Sequence, residues 1–169
     1  PELCRKVEVY LNDNESQGRG PNLIDFDEAR EKGLITRFNP IPAYQEHIRK
    51  LINFDVIAEN PQYIVVDSMY GSGRGVIKGL LEGTGCEVHE IRNEMNPGFG
   101  GVHPEPIGQY LSALSGAICM GKGTIGLATD GDADRIGAMD ERGVFVDPHK
   151  IMALALTYLA EKRKLKGLV

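Results

Sequence analysis

The stretch from Tyr63 to Arg92 constrains the fold most. An apolar run, Tyr63 to Asp67, closes on an acid; Gly71, Gly73 and Gly75 follow at alternate positions; Val76 to Glu82 is patterned as a helix. Gly85 stops that helix, and Glu87 to Arg92 reads as a second strand. Short apolar runs punctuated by glycines, with a helical segment between them, predict a βαβ unit. Parallel strands joined by a helical crossover are buried on both faces, so the remaining chain must supply covering helices.

The remaining segments extend this pattern. From Pro40 to Phe54, Tyr44, Ile48, Leu51 and Ile52 recur at helical spacing with Pro42 in the first turn, so a helix is expected to end near Asn53. Asn96 to Pro106 is rich in Gly and Pro and reads as a loop, and Ile107 to Leu114 as a short helix. Gly126 to Thr129 reads as a buried strand, and Arg135 to Asp140 with Val144 to Val146 as a hairpin around Glu141, Arg142 and Gly143. In the last helix, Asp147 is the cap, Pro148 opens the first turn, and Ile151, Leu154, Ala155, Tyr158 and Leu159 share one face. The expectation is an α/β fold: a three-layer α/β/α domain over 39–169, with a mixed, mostly parallel sheet and an antiparallel hairpin. Residues 1–38 are expected to form an N-terminal arm or the remnant of a preceding domain, with Val7 to Leu11 strand-like and Asn12 to Asn22 a loop.

A length of 169 residues suits one such core, and 41% hydrophobic with 25% charged residues is ordinary for a globular protein. The net charge of -5, without a basic run beyond Lys162 to Lys164, argues against nucleic acid as a partner. No apolar stretch is long enough to cross a bilayer and no signal-peptide pattern opens the chain, so a cytoplasmic protein without membrane partners is expected. Cys4, Cys86 and Cys119 lack metal or disulfide spacing and read as buried free thiols. The absence of an initial Met, and an end at Gly167 to Val169 that reads like the start of a strand, suggest a piece of a longer chain.

Chemistry concentrates at Asp130, Asp132 and Asp134, three acids at alternate positions directly after an apolar strand. In an extended chain Asp130 and Asp134 would stand roughly 13 Å apart. Sharing one ion therefore requires the segment to curl, with Gly131 supplying the freedom and Ala133 adding little bulk. An all-oxygen set selects a hard cation such as Mg²⁺, Mn²⁺ or Ca²⁺, and the end of a strand is where open α/β sheets place ligands. A solvated acidic turn is the plainer reading, and the three small-spaced acids weigh against it. A calcium loop of the EF-hand type has its acids at Asp130, Asp132, Asp134 and Glu141, but Arg135 stands where that loop needs glycine and a strand precedes it. Arg135 could direct two hydrogen bonds to a phosphate, or pair with a neighbouring acid.

The run DGDADR at Asp130 to Arg135, continuing through IGAMDERGVFVD to Asp147, resembles the magnesium loop of the α-D-phosphohexomutases, the phosphoglucomutase and phosphomannomutase family. VVDSMYGSGRG at Val65 to Gly75 and NPGFGGVHPEPI at Asn96 to Ile107 resemble that family's glycine turn and proline-rich loop. The resemblance is to the second of four domains and runs from about Ala29 to the end, with Thr124 a departure where the family often has an acid. It implies an isomerase that interconverts sugar 1-phosphates and 6-phosphates through a phosphoserine and a bisphosphorylated intermediate. It also implies Mg²⁺ on Asp130, Asp132 and Asp134, with Arg135 facing phosphate and the other domains of the parent chain as partners. No serine here is followed by His and Asn as the family's phosphoserine is, so the catalytic serine is expected in a preceding domain and the isolated chain to be inactive.

Other readings are weaker. Val76 replaces the third glycine of a dinucleotide fingerprint, although Glu90 ends the next strand as that fingerprint's acid would; no lysine is placed for a P-loop. His103 reads as a solvated loop residue, His47, His89 and His149 as surface or half-buried, and Asp67 with Ser68 as a structural turn more than as support for a site. The rival function class is a stand-alone, non-catalytic module that binds a divalent cation and a phosphorylated partner.

Overall fold

The computed structural model describes residues 1–121 and 123–167. They form two compact units, Pro1–Asn39 and Pro40–Val169.

The first unit holds helix α1, Glu2–Ser16, and helix α2, Phe26–Glu31. The expected strand at Val7 to Leu11 is wrong: those residues lie inside α1, which also takes the first residues of the expected loop. Alternation over Val7, Val9 and Leu11 looks extended in a short window. Across the longer run, Leu3, Val7, Tyr10 and Leu11 follow helical spacing without Gly or Pro, and Lys6 pairs with Glu2 one turn away at 3.0 Å. Asp25 caps α2 by accepting from the N–H groups of Asp27 and Glu28.

The second unit opens with helix α3, Ile41–Leu51, and a six-residue helix α4, Phe54–Glu59, capped by Asn53. Helix α4 is too short to show periodicity. Strand β1, Tyr63–Asp67, helix α5, Val76–Leu81, and strand β2, Glu87–Ile91, make the expected βαβ unit, with β1 and β2 parallel. The helix expected over Ile107 to Leu114 is displaced. A 3₁₀ turn occupies Gly108–Tyr110, and helix α6 runs over Ser112–Gly121, where Leu114 and Ile118 are buried among serines and glycines that hide the pattern. Strands β3, Ile125–Thr129, β4, Ile136–Met139, and β5, Phe145–Val146, complete a sheet of order β2-β1-β3-β4-β5. β1 pairs in parallel with both neighbours, and β3, β4 and β5 pair antiparallel in turn.

Alternation along β1 separates two cores. Val65 packs with Leu111, Leu114, Ile118, Ala128 and Met139 on the α6 face. Ile64 and Val66 pack with Leu81 on the other face, against Phe54, Ile57 and Ile77 of α4 and α5. The result is the α/β/α layering expected of a central parallel strand.

Helix α7, Pro148–Thr157, forms on its Asp147 cap and continues as a wide π turn over Tyr158–Lys162. Of its apolar stripe only Ile151 is half-buried; Leu154, Ala155, Tyr158 and Leu159 are exposed. Gly167 is irregular, and Leu168 and Val169, where a strand was expected to begin, lie outside the described residues. The thiols are free, but the expectation of burial fails: Cys4 and Cys119 are exposed and Cys86 is half-buried. No helix among the described residues is long and apolar enough to cross a membrane.

Candidate metal centre

Three loops meet beyond the carboxyl ends of β1, β2 and β3: the glycine turn after Asp67, the proline-rich loop before Ile107, and the aspartate loop Asp130 to Arg135. Main-chain hydrogen bonds join them. Ser72 N–H donates to the Gly131 carbonyl at 2.9 Å, and Gly131 N–H donates to the Pro104 carbonyl at 3.2 Å. Both peptide groups of Gly131 are thereby held.

The aspartate loop curls. Carboxylate oxygens of Asp130, Asp132 and Asp134 all lie within 4.8 Å of one another, far closer than an extended chain allows. The residue that turns the chain is not Gly131. Ala133 takes the left-handed conformation, φ +63°, and its N–H donates to the Asp130 carbonyl at 3.3 Å. A β-carbon at Gly131 would make only ordinary contacts, 3.4 Å from both Phe99 and Pro104 of the proline-rich loop.

Asp130 is buried, whereas Asp132 and Asp134 are exposed. Burial pushes the Asp130 carboxyl up, but the Arg135 N–H, the Arg135 guanidinium and a hydrogen bond with Asp134 outweigh it and hold the group below its ordinary range. Asp134 goes the other way, raised by its hydrogen bond with Asp130 and by the charges of Asp132 and Asp130. The opposed shifts reflect like charges crowded at one point, which a cation would relieve.

Arg135 is half-exposed and engaged by acids. Its Nε donates to Asp130 Oδ2 at 2.8 Å, its N–H to Asp130 Oδ1 at 3.1 Å, and its Nη1 to Glu105 Oε1 at 2.6 Å. The sequence offered either a phosphate contact or an acid pair, and the acid pair is what the free chain forms. Glu105 was not singled out from the sequence. The available signal was a single acid between Pro104 and Pro106, the one carboxylate from Asn96 to Pro106.

A cleft of about 570 Å³ adjoins the loop, with Ser72, Thr129, Asp132, Asp134 and Arg135 on its wall. Thr129 Oγ1, at the end of β3, is a buried oxygen without a hydrogen-bond partner among the described residues. The other candidates are structural. Asp67 is buried and accepts the Arg92 guanidinium through both oxygens, with Arg92 Nε at 2.8 Å. Ser68 Oγ and Gly75 N–H both donate to Glu90 Oε1, at 2.6 and 2.8 Å, which occupies the acid that a dinucleotide site would need for a ribose. His103 is exposed and stacks on Tyr110, ring centroids 5.3 Å apart. His47, His89 and His149 are exposed.

The layering and the loops at the strand ends define a three-layer α/β/α domain with its candidate site beyond the carboxyl ends of the strands. Residues 42–143 match the family model described as phosphoglucomutase/phosphomannomutase, alpha/beta/alpha domain II. The chain belongs to that family, as its second domain. A phosphoglucosamine mutase from Thermoanaerobacter pseudethanolicus is 36% identical over 129 residues, 73% of this chain and 27% of that protein. A phosphomannomutase/phosphoglucomutase from Pseudomonas syringae is 33% identical over 127 residues, 73% of this chain and 26% of its own length. A crystal structure from Thermus thermophilus, assigned as a phosphomannomutase, aligns with TM-score 0.69 at 34% identity, covering 74% of this chain and 29% of the other. The chain therefore spans less than a third of the length of these relatives.

Proposed function

We propose that this chain is the metal-binding domain of a phosphohexomutase that interconverts sugar 1-phosphates and sugar 6-phosphates through a phosphoserine and a bisphosphorylated intermediate. The observation that carries the reading is the meeting of Asp130, Asp132 and Asp134 within 4.8 Å at the end of β3, in a chain of this family. In this reading the three aspartates hold Mg²⁺. The donor set fits: it is all carboxylate oxygen, one member is buried and the other two open to solvent.

Bound Mg²⁺ would neutralise charge at the phosphoryl group in transfer. The chain's own residues orient and bind. Asp130 anchors the loop from beneath, Asp132 and Asp134 reach outward from it, and Arg135 faces the phosphate with donors that suit its oxygens. The phosphoserine and the sugar-selecting and phosphate-binding loops belong to other domains of the parent polypeptide, and the enzyme works in the cytoplasm. The relatives' names span phosphoglucomutase, phosphomannomutase and phosphoglucosamine mutase, and in this reading the sugar is selected outside the aspartate loop.

The test uses the purified chain. It should convert no glucose 1-phosphate to glucose 6-phosphate, and calorimetry should find weak Mg²⁺ binding that Asp132→Asn with Asp134→Asn removes. Turnover that copurifies stoichiometrically with the chain, or tight binding indifferent to those substitutions, overturns the reading.

A further inference from the structure

We propose that Glu105 is a positioning residue for Arg135, sharing the guanidinium with Asp130 in the free chain and retaining it at the rim of the aspartate loop when a cation claims Asp130. This rests on the reading of the three aspartates as a cation site.

Arg135 engages both oxygens of Asp130, one through Nε and one through its main-chain N–H, while Nη1 reaches Glu105. Among the described residues nothing accepts from Nη2. A divalent cation beside Asp130 draws on the same carboxylate charge and repels the guanidinium, so the Asp130 half of this clamp weakens as the cation enters. The Glu105 half is outside the acidic triad and keeps its charge for Arg135.

Glu105 is built to stay in place. Pro104 and Pro106 fix the backbone on either side. Glu105 N–H donates to the His103 carbonyl at 2.8 Å, and Ile107 N–H to the Glu105 carbonyl at 2.8 Å, giving two successive tight turns. The neighbouring Pro104 carbonyl is tied to Gly131 at 3.2 Å, so the turn that carries Glu105 is attached to the loop that carries the triad. The other titratable group facing Glu105 is His103, its Nδ1 3.9 Å from the carboxylate. An exposed ion pair on flexible side chains contributes little to stability. A pair with one member held by its backbone sets orientation instead, leaving the free edge of Arg135 beside the cation, where a phosphate oxygen can take it.

The test is the Arg135 Nε–Hε resonance of the ¹³C,¹⁵N-labelled chain, followed with the carboxyl ¹³C signals of Asp132 and Asp134 during titration with Mg²⁺ to saturation. Mg²⁺ is expected to shift the arginine resonance while its exchange with water stays slow. Glu105→Gln keeps an accepting oxygen without the charge and should fall between the parent and Glu105→Ala, which should exchange severalfold faster than the parent once Mg²⁺ is bound. Backbone spectra report whether each variant is folded. An alanine variant that matches the parent at saturation overturns this inference alone, provided the aspartate signals respond. Aspartate signals that ignore Mg²⁺ overturn the cation reading, and this inference with it.

Discussion

Gly71 stands against the main chain of Asp130: a β-carbon built on it would come 2.5 Å from the Asp130 carbonyl oxygen and 2.8 Å from that of Gly131. The glycine turn therefore supports the candidate metal loop by backbone contact, and only the smallest residue permits it. Gly71→Ala must push the two loops apart, an overpacking that costs about 1–3 kcal/mol. Urea denaturation should show that loss, and Mg²⁺ should perturb the aspartate signals less than in the parent.

Ala133 holds a left-handed conformation that costs a residue with a β-carbon roughly 1–2 kcal/mol. Ala133→Gly removes that strain while freeing the unfolded chain, so the net effect should be a gain below about 1 kcal/mol. Thermal denaturation checks the sign. Ala133→Val, with a branched side chain at the same φ, should be clearly destabilised.

Asp67 and Arg92 form a pair in which the carboxylate is wholly buried and the guanidinium nearly so. Removing one partner strands the other charge, so Asp67→Ala should cost about 3–5 kcal/mol. The pair joins the end of β1 to the residue after β2, and Tyr70 N–H also donates to the Arg92 carbonyl at 2.7 Å. Amides of the glycine turn should then exchange faster in the variant, a readout available at temperatures where it remains folded.

The N–H groups of Lys150 and His149 hold the Asp147 carboxyl below its ordinary value, the Lys150 contact contributing most and burial opposing it. A depressed folded value means the cap contributes fully above the unfolded aspartate value of about 3.9 and is lost as pH falls through the lower folded one. The amide shifts of His149 and Lys150 should titrate with a midpoint below that of an exposed aspartate. In Asp147→Asn the titration should vanish.

The β1-α5-β2 unit was legible because its strand is buried on both faces and its glycines fall at the turns, so local pattern and tertiary role agree. Where they disagree, the sequence misleads. The alternation in Val7 to Leu11 belongs to a helix, and α6 hides its buried Leu114 and Ile118 among Ser and Gly. The convergence of the three aspartates followed from charge and spacing, yet the residue that takes the left-handed conformation is Ala133 and not Gly131, a choice that residue type does not announce. Glu105 lies 30 residues from Arg135, and no local pattern joins them.

Gly131 is gripped through its N–H by Pro104 and through its carbonyl by Ser72, and neither grip uses a side chain. The outline of the aspartate loop is consequently insulated from most amino-acid replacement around it. Side chains that face the cleft can therefore change without redrawing the main chain that carries the three aspartates.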